Sequence, residues 1–363
     1  AGTHGKTTTT SLTACVLGEG GLDPTFVIGG LLNSVGSHAY LGKSNYFIVE
    51  ADESDASFLY LNPIVSVITN IDADHMQTYD NDFGKLQKAF VNFVHRLPFY
   101  GTAIVCVDDD CVREILPQLS RSVVTYGFDH AADIQGMNFR QDGWRTRFTV
   151  RRNNIDDSTP LEINLNLPGK HNALNALAAI AVATEVDVSG EAIQKALSEF
   201  SGTRRRLQRH GVLHLPKGQV LLLDDYGHHP KEIKVTLQAL RAAWPEKRLV
   251  LAFQPHRYSR TKALFDDFAA VLSEADVLLL TDIYAAGEKP IAGISGMLLA
   301  EEIRKHGKVN PIFVADIQSL PNIIADVVSD NDILLLQGAG SIGAVPNLLL
   351  TNFPHDNVAI DAI

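Results

Sequence analysis

Cysteine is scarce in this 363-residue chain: Cys15, Cys106 and Cys111 are odd in number and follow no CxxC spacing. That excludes a disulfide framework, argues against structural zinc and fits a reducing cytoplasm. Long apolar runs are also missing. No stretch approaches the roughly 18 residues of a membrane-spanning helix, and no basic-then-apolar leader opens the chain, so a soluble cytoplasmic protein without membrane insertion is expected. Positive charge is in deficit, with 31 Lys and Arg against 42 Asp and Glu and a formal net charge of −11. The one basic run, Arg204 to Arg206, is too short to attract nucleic acid or an anionic membrane, so neither is expected as a partner. A last absence is the buried strand that normally leads into a phosphate-binding loop: the chain opens directly on AGTHGKTTTT.

What is present is alternation. Short β-branched runs, YFIVEAD (46–52), PIVSVITNI (63–71) and TAIVCVDD (102–109), alternate with longer amphipathic stretches, among them a helical pattern over 83–97. Such alternation predicts an α/β fold with a mostly parallel sheet wrapped by helices. Between about Ser122 and Leu167 the pattern changes to VVTYGF, RTRFTVRR and LEINLNL with polar turns, which predicts a small antiparallel patch. Two helices follow, PGKHNALNALAAIAVATEV behind its turn residues and SGEAIQKALSEF, and SGTRRRLQ reads as a boundary. Beyond it QVLLLDD, RLVLAF, DVLLLTD, PIFVAD and DILLLQ alternate with helical stretches, predicting a second, Rossmann-like doubly wound domain. Two domains are expected, 1–203 and 204–363.

The opening stretch carries the sharpest chemical signal. In a P-loop the glycines let successive backbone N–H groups face phosphate oxygens, the lysine reaches the β- and γ-phosphates, and the next hydroxyl serves Mg²⁺. Gly2, Thr3, His4, Gly5, Lys6, Thr7 and Thr8 supply those parts in the short GxxGKT form. A glycine-capped turn before an ordinary helix is the bland alternative, but a run of threonines is a poor helix former and strains that reading. ATP with Mg²⁺ is the expected ligand.

Glu50, in EADESD, and His75, in IDADH, each follow a predicted strand, so both are expected at the carboxyl ends of parallel strands, where ligands of open sheets collect. Beside a triphosphate they could hold a second Mg²⁺; otherwise they are an acidic loop and a helix cap. His171, Asn172 and Asn175 lie where an apolar helix begins. Asn172 and Asn175 share a face and could meet an adenine edge, or Asn172 could simply cap the helix. In the second domain Asp224 and Asp225 end a strand before YGHHP, and Arg257 and Arg260 follow LAFQPH. Two arginines three apart can clamp a carboxylate, and positive charge at a helix start opposes the dipole, which favours a ligand there. GAGSIG, Gly338 to Gly343, is too weak a match to imply a dinucleotide, and the cysteines read as core or surface thiols.

GTHGKTT, EADESD, TNIDADHM, GKHNALNALAA, GTRRRL, DDYGHHP and HRYSR, taken in order, resemble the ATP-dependent Mur ligases of peptidoglycan synthesis over nearly the whole chain. EADESD with DDYGHHP and HRYSRT is most similar to the members that add L-alanine to UDP-N-acetylmuramate. The resemblance implies three domains, of which a preceding uridine-nucleotide domain is missing here. It implies that Lys6 holds the β- and γ-phosphates, Thr7 and Glu50 serve Mg²⁺ and His75 the second ion. Asn172 and Asn175 would face adenine, Arg206 and Asp225 would reach ATP, and His228, Arg257 and Arg260 would meet the sugar's carboxylate or the incoming amino acid. Several relatives carry a carbamoylated lysine about seventeen residues after the DH histidine; Asn92 stands there.

The chemistry expected is conversion of a carboxylate to an acyl phosphate, then displacement of phosphate by an amine in a site closed to water, with Lys6, Arg206 and Mg²⁺ offsetting charge. A ligase reattaching recycled peptide, a folylpolyglutamate synthase and a nucleotide-binding module without catalysis are the alternatives. A GTPase is disfavoured because TNID, Thr69 to Asp72, is no NKxD signal. Monomer and homodimer are both open.

Overall fold

Near-continuous apolar strands such as VLLLDD and LVLAF bury both faces, and this is how a sheet covered by helices on each side is written in sequence. In the computed structural model, which describes residues 1–153 and 159–356, the chain forms two compact units, Ala1–Thr203 and Arg204–Ile363.

The first unit opens with α1 (Lys6–Glu19), β1 (Thr25–Leu32), β2 (Ser37–Tyr40) and β3 (Phe47–Val49). Next come β4 (Val65–Ile68), α2 (Phe83–Val94), β5 (Thr102–Cys106), α3 (Asp110–Ile115) and β6 (Ser122–Gly127). It ends with β7 (Ile134–Asp142), β8 (Arg145–Arg152), β9 (Leu161–Leu165), α4 (Lys170–Glu185) and α5 (Gly190–Ser198). The main sheet runs β4-β5-β6-β7-β8-β9. It is parallel as far as β7 and antiparallel beyond it, so the antiparallel patch expected from Ser122 is confined to β7, β8 and β9, and β6 (VVTYGF), expected within it, pairs parallel to both neighbours. Strand β3, however, pairs with β1 in a separate sheet ordered β2-β1-β3. Glu50 therefore follows a parallel strand, but not one of the sheet that leads to His75.

Helix α2 shows how the core is specified. Asp82 caps it by accepting from Gly84 and Lys85 N–H, and Leu86, Ala89, Phe90, Phe93 and Val94 recur at helical spacing on its buried face. Burying a side chain such as Phe90 contributes roughly 1.5–3 kcal/mol. The Ala-rich α4 is buried almost all round and packs on both α1 and the sheet.

The second unit runs β10 (Gln208–Leu215), β11 (Gly218–Asp225), α6 (Pro230–Ala243), β12 (Leu249–Phe253), α7 (Tyr258–Ala263) and α8 (Phe265–Leu272). It continues β13 (Val277–Thr281), α9 (Gly296–His306), β14 (Ile312–Val314), α10 (Leu320–Val327), β15 (Ile333–Gln337), α11 (Val345–Asn352) and β16 (His355–Asp356). Sheet order is β14-β13-β12-β15-β11-β10-β16, with the strands from β14 to β11 parallel and β10 antiparallel to both neighbours. The carboxyl ends of β11, β12, β13 and β15 thus lie along one edge, where Asp225, Gln254, Asp282 and Gly338 stand at or just beyond the strand ends. No helix of the described residues is long and apolar enough to cross a membrane.

Candidate active site

The phosphate-loop candidate is held against the segment that follows β4. Thr3 N–H donates to the Asn70 carbonyl at 3.1 Å and His4 N–H to Asn70 Oδ1 at 2.8 Å. Asn70 Nδ2 and Thr69 Oγ1 donate back to the His4 carbonyl at 2.9 and 2.7 Å. The TNID stretch is therefore a clasp on the loop. Gly2 and Gly5 both have positive φ, +133° and +81°. A Cβ at Gly2 would collide with the Thr69 hydroxyl, and one at Gly5 would stand 2.5 Å from Asn175 Oδ1. Only glycine fits either place.

Helix α1 starts at Lys6, with Gly5 as a cap that offers no side-chain hydrogen bond, so its first turn is not closed by a capping side chain. That is the arrangement in which a helix N-terminus receives an anion. The threonines fit a helix because their hydroxyls have local partners: Thr10 donates to the Lys6 carbonyl at 2.9 Å and Thr13 to that of Thr9 at 2.8 Å.

Two carboxylates meet this loop. Thr7 Oγ1 donates to Glu50 Oε1 at 2.9 Å, and the other Glu50 oxygen accepts from Gly29 N–H at 2.8 Å. Lys6 Nζ lies 3.0 and 2.8 Å from the two oxygens of Glu53 and 3.3 Å from the Thr3 carbonyl. Glu53 is 1% exposed. The structure thus brings Lys6, Thr7 and Glu50 together and adds Glu53, which sequence reasoning passed over although it stands in the same EADESD segment. His75 has a left-handed backbone, φ +53°, and its Nε2 is 3.5 Å from Asp74 Oδ2. His4 Nε2 is 3.1 Å from Asp72 Oδ2.

Asn172 does not cap α4. The helix begins two residues earlier and Asn172 Nδ2 turns back to the Pro168 carbonyl at 2.8 Å. Asn175 accepts from Thr9 Oγ1 at 3.2 Å and donates to Asn172 Oδ1 at 3.4 Å, so this buried pair ties α4 to α1 behind the loop. Burial lowers the His171 pKa to about 4. Asn92 is exposed on α2. Cys15 and Cys106 are free thiols pushed up by burial, to about 11 and about 12, and neither is poised as a nucleophile.

The second unit gathers its candidates at the strand ends. Asp225 accepts from Leu207 N–H at 2.7 Å, Gly227 N–H at 2.8 Å and Gln337 Nε2 at 2.9 Å. Burial nevertheless raises its pKa above the ordinary carboxylate value, against the opposing pull of Arg206 and of the Leu207 and Gly227 N–H groups. The guanidinium groups of Arg205 and Arg206 lie 5.2 and 5.1 Å from the Tyr226 ring centre. Arg205 also pairs with Asp224 and donates to the Gly338 carbonyl, which binds the GAGS turn to the Arg206 segment.

His228 Nδ1 is 3.1 Å from the Tyr226 carbonyl, which makes that nitrogen the donor. Its ring is 5.4 Å from that of His256, which stacks on Tyr284 at 5.6 Å. Arg260 is 8% exposed and donates from Nη1 to His256 Nδ1 at 3.4 Å. Burial lowers the His256 pKa to about 4, helped by the positive charge of His228, Arg260 and Arg257. Arg257 is exposed, with φ +69°, just before α7. Tyr284 was missed in the sequence; His256 stands beside the arginines in LAFQPHR, and Tyr284 joins them through the parallel bridge between residues 256 and 284.

Family models match both units: the Mur ligase middle domain over residues 1–183 and the Mur ligase glutamate ligase domain over 205–340. Among solved structures, the UDP-N-acetylmuramate-alanine ligase of Thermotoga maritima is 28% identical, with a TM-score of 0.79 over 97% of this chain and 74% of its own. A murein peptide ligase from Psychrobacter arcticus is 26% identical, with a TM-score of 0.70 over 96% of this chain and 75% of its own. The MurF ligase of Thermotoga maritima, solved with ADP, shares the fold at 17% identity and a TM-score of 0.72, over 96% of this chain and 78% of its own. The phosphate loop with its carboxylates, the arginine and imidazole cluster and the two family-model matches lead to one conclusion: the chain belongs to the Mur ligase family, ATP-dependent ligases of peptidoglycan synthesis that act on UDP-N-acetylmuramate-derived substrates.

Proposed function

We propose that this chain carries the machinery that joins L-alanine to the carboxylate of UDP-N-acetylmuramate, consuming ATP and giving ADP and phosphate. Residues 1–203 form the ATP-binding middle domain in this reading and 204–363 the ligase domain. Support for the alanine enzyme comes from DDYGHHP and HRYSR and from the likeness to the Thermotoga maritima alanine ligase. The observation that carries the reading is the loop itself, where Lys6 and Thr7 stand at the uncapped start of α1 with Glu50 on the Thr7 hydroxyl.

Joining a carboxylate to an amine is uphill in water, so the carboxylate is first phosphorylated by ATP and the amine then displaces phosphate. Backbone N–H groups of the loop and α1 hold the phosphates, and Lys6 stabilises charge on the transferring phosphoryl group. Thr7 and Glu50 present hard oxygen donors, one hydroxyl and one carboxylate, which fit Mg²⁺. His75, with Asp74 behind its imidazole, is the candidate for a second ion. When bound, these ions supply neutralisation of phosphate charge. Asn172 and Asn175, the buried pair that ties α4 to α1, are assigned to the adenine side by the family resemblance, as the wall behind it. Arg206, steadied on Tyr226 and facing Asp225, is assigned to the phosphates, while Arg257, Arg260 and His228 orient the carboxylate and amine partners.

The test supplies ATP, UDP-N-acetylmuramate and L-alanine and follows phosphate release. Release that depends on alanine supports the proposal. Release that depends on a tripeptide instead favours the peptide-reattaching ligase, an alternative kept because of the 26% identity to the murein peptide ligase. No amine-dependent release contradicts both.

A further inference from the structure

The loop lysine has a partner within its own unit that the proposed chemistry does not use. Lys6 has three N–H donors. Two face the oxygens of Glu53 at 3.0 and 2.8 Å, and a longer bond of 3.3 Å goes to the Thr3 carbonyl, on the rim of the loop. Glu53 is 1% exposed, so this ion pair is screened far less than a surface pair. Its backbone is fixed as well: the Glu53 carbonyl accepts from the Tyr79 hydroxyl at 2.5 Å and from Ala56 N–H at 3.0 Å. The carboxylate is therefore a rigid part of the wall, and the flexible partner is the lysine.

We propose that Glu53 is the positioning residue of Lys6: it neutralises the ammonium and aims it at the loop, where a nucleotide phosphate replaces only the Thr3 carbonyl. The inference rests on the ATP reading above. An incoming triphosphate then meets a lysine whose charge is already offset by a fixed carboxylate, and that moderates ground-state binding. Replacing the charge of Glu53 while keeping its shape leaves a cation on a four-carbon stem that still reaches the loop, with only the longer, half-exposed contact to Asp52 at 3.9 Å to offset it. Nucleotide binding should tighten, and ADP should leave more slowly.

The experiment titrates ADP and β,γ-imido-ATP, with Mg²⁺, into wild type, Glu53→Gln and Glu53→Asp, after melting curves establish the folded fraction. Glu53→Gln is expected to bind both nucleotides on the order of tenfold more tightly. Glu53→Asp, which keeps the charge but withdraws it by one methylene, should fall between, about threefold tighter, and it decides the question if the Gln variant does not fold. In turnover, KM for ATP and kcat should fall together, a pattern that a merely structural role does not produce. Affinity per folded molecule that is unchanged or weaker in the variants overturns the proposal for Glu53 alone. A wild type that binds neither nucleotide overturns it together with the ATP reading.

Discussion

The two units arrange charge in opposite ways. At the loop of the first unit, the cation and the hydroxyl are matched by acids: Lys6 by Glu53 and Thr7 by Glu50. At the strand ends of the second, bases gather on one another. His228 faces His256, Arg260 donates to His256, and the joint effect of burial and positive charge keeps that imidazole neutral. Two acids stand there, each held largely by the backbone: Glu288 by the Ser259 N–H and hydroxyl, and Glu232 by the His228 and His229 N–H groups, 3.8 Å from His228 Nδ1. A matched site tunes how tightly it takes a highly charged ligand that arrives with its own cations. A site that clusters guanidinium and imidazole groups suits a small anion such as a carboxylate.

The largest expected effect comes from breaking the matched site. Lys6→Met should abolish measurable ATP binding and also destabilise the first unit by about 3–5 kcal/mol, because Glu53 is left charged and buried. Adding Glu53→Gln should recover most of that stability without recovering ATP binding. Calorimetry of the single and double variants checks this, and additive losses would deny the pairing. In the second unit, Arg260→Lys should lower kcat/KM for the ligation by about 100-fold, since an ammonium cannot reproduce a forked guanidinium bond. Steady-state kinetics varying the sugar nucleotide and the amino acid in turn would show which carboxylate it serves.

Smaller effects sharpen the contrast. Asp225→Asn should cost about 1–3 kcal/mol of second-unit stability, because a carboxylate that accepts three N–H bonds becomes an amide with fewer acceptor sites. Denaturant unfolding measures it. The pH dependence is gentler. His171 in the first unit and His256 in the second are held near 4, against an ordinary 6.5. Between those values the unfolded chain binds more protons than the folded one. The stability these histidines contribute is present in full above about pH 6.5 and is lost as pH falls toward about 4. Melting temperature should therefore drop over that window, and His171→Gln and His256→Gln should each flatten it; an unchanged slope in both would contradict the assignment.

Much of this was legible from sequence, for physical reasons. Unbroken apolar strands such as VLLLDD can be read because burial on both faces leaves no alternation, and the loop can be read because only glycine tolerates the conformations at positions 2 and 5. Strands β1, β2, β7, β10 and β16 were not read. In β1, β2 and β10 the half-exposed patterns, broken by Gly29, Gly30 and Gly211, do not stand out from loops, so the separate sheet beside the phosphate loop went unseen. Glu53 was hidden for a different reason. In EADESD four acids sit within six residues, and nothing in their order says which one turns inward; burial by Tyr79 and the loop decides it. Asn172 and Asn175 were read as a shared face, and they do share one, but their partners Thr9 and Pro168 could be found only in three dimensions.

The claim on which all of this turns is that the carboxylate is activated by ATP's terminal phosphoryl group before the amine arrives. UDP-N-acetylmuramate carrying ¹⁸O in both carboxylate oxygens, supplied with ATP and L-alanine, tests it by mass spectrometry of the released phosphate. One ¹⁸O should pass to each phosphate formed, because the carboxylate oxygen that attacks phosphorus leaves with it when the amine displaces phosphate at carbon. Unlabelled phosphate alongside product, or release of AMP and pyrophosphate, would contradict the account.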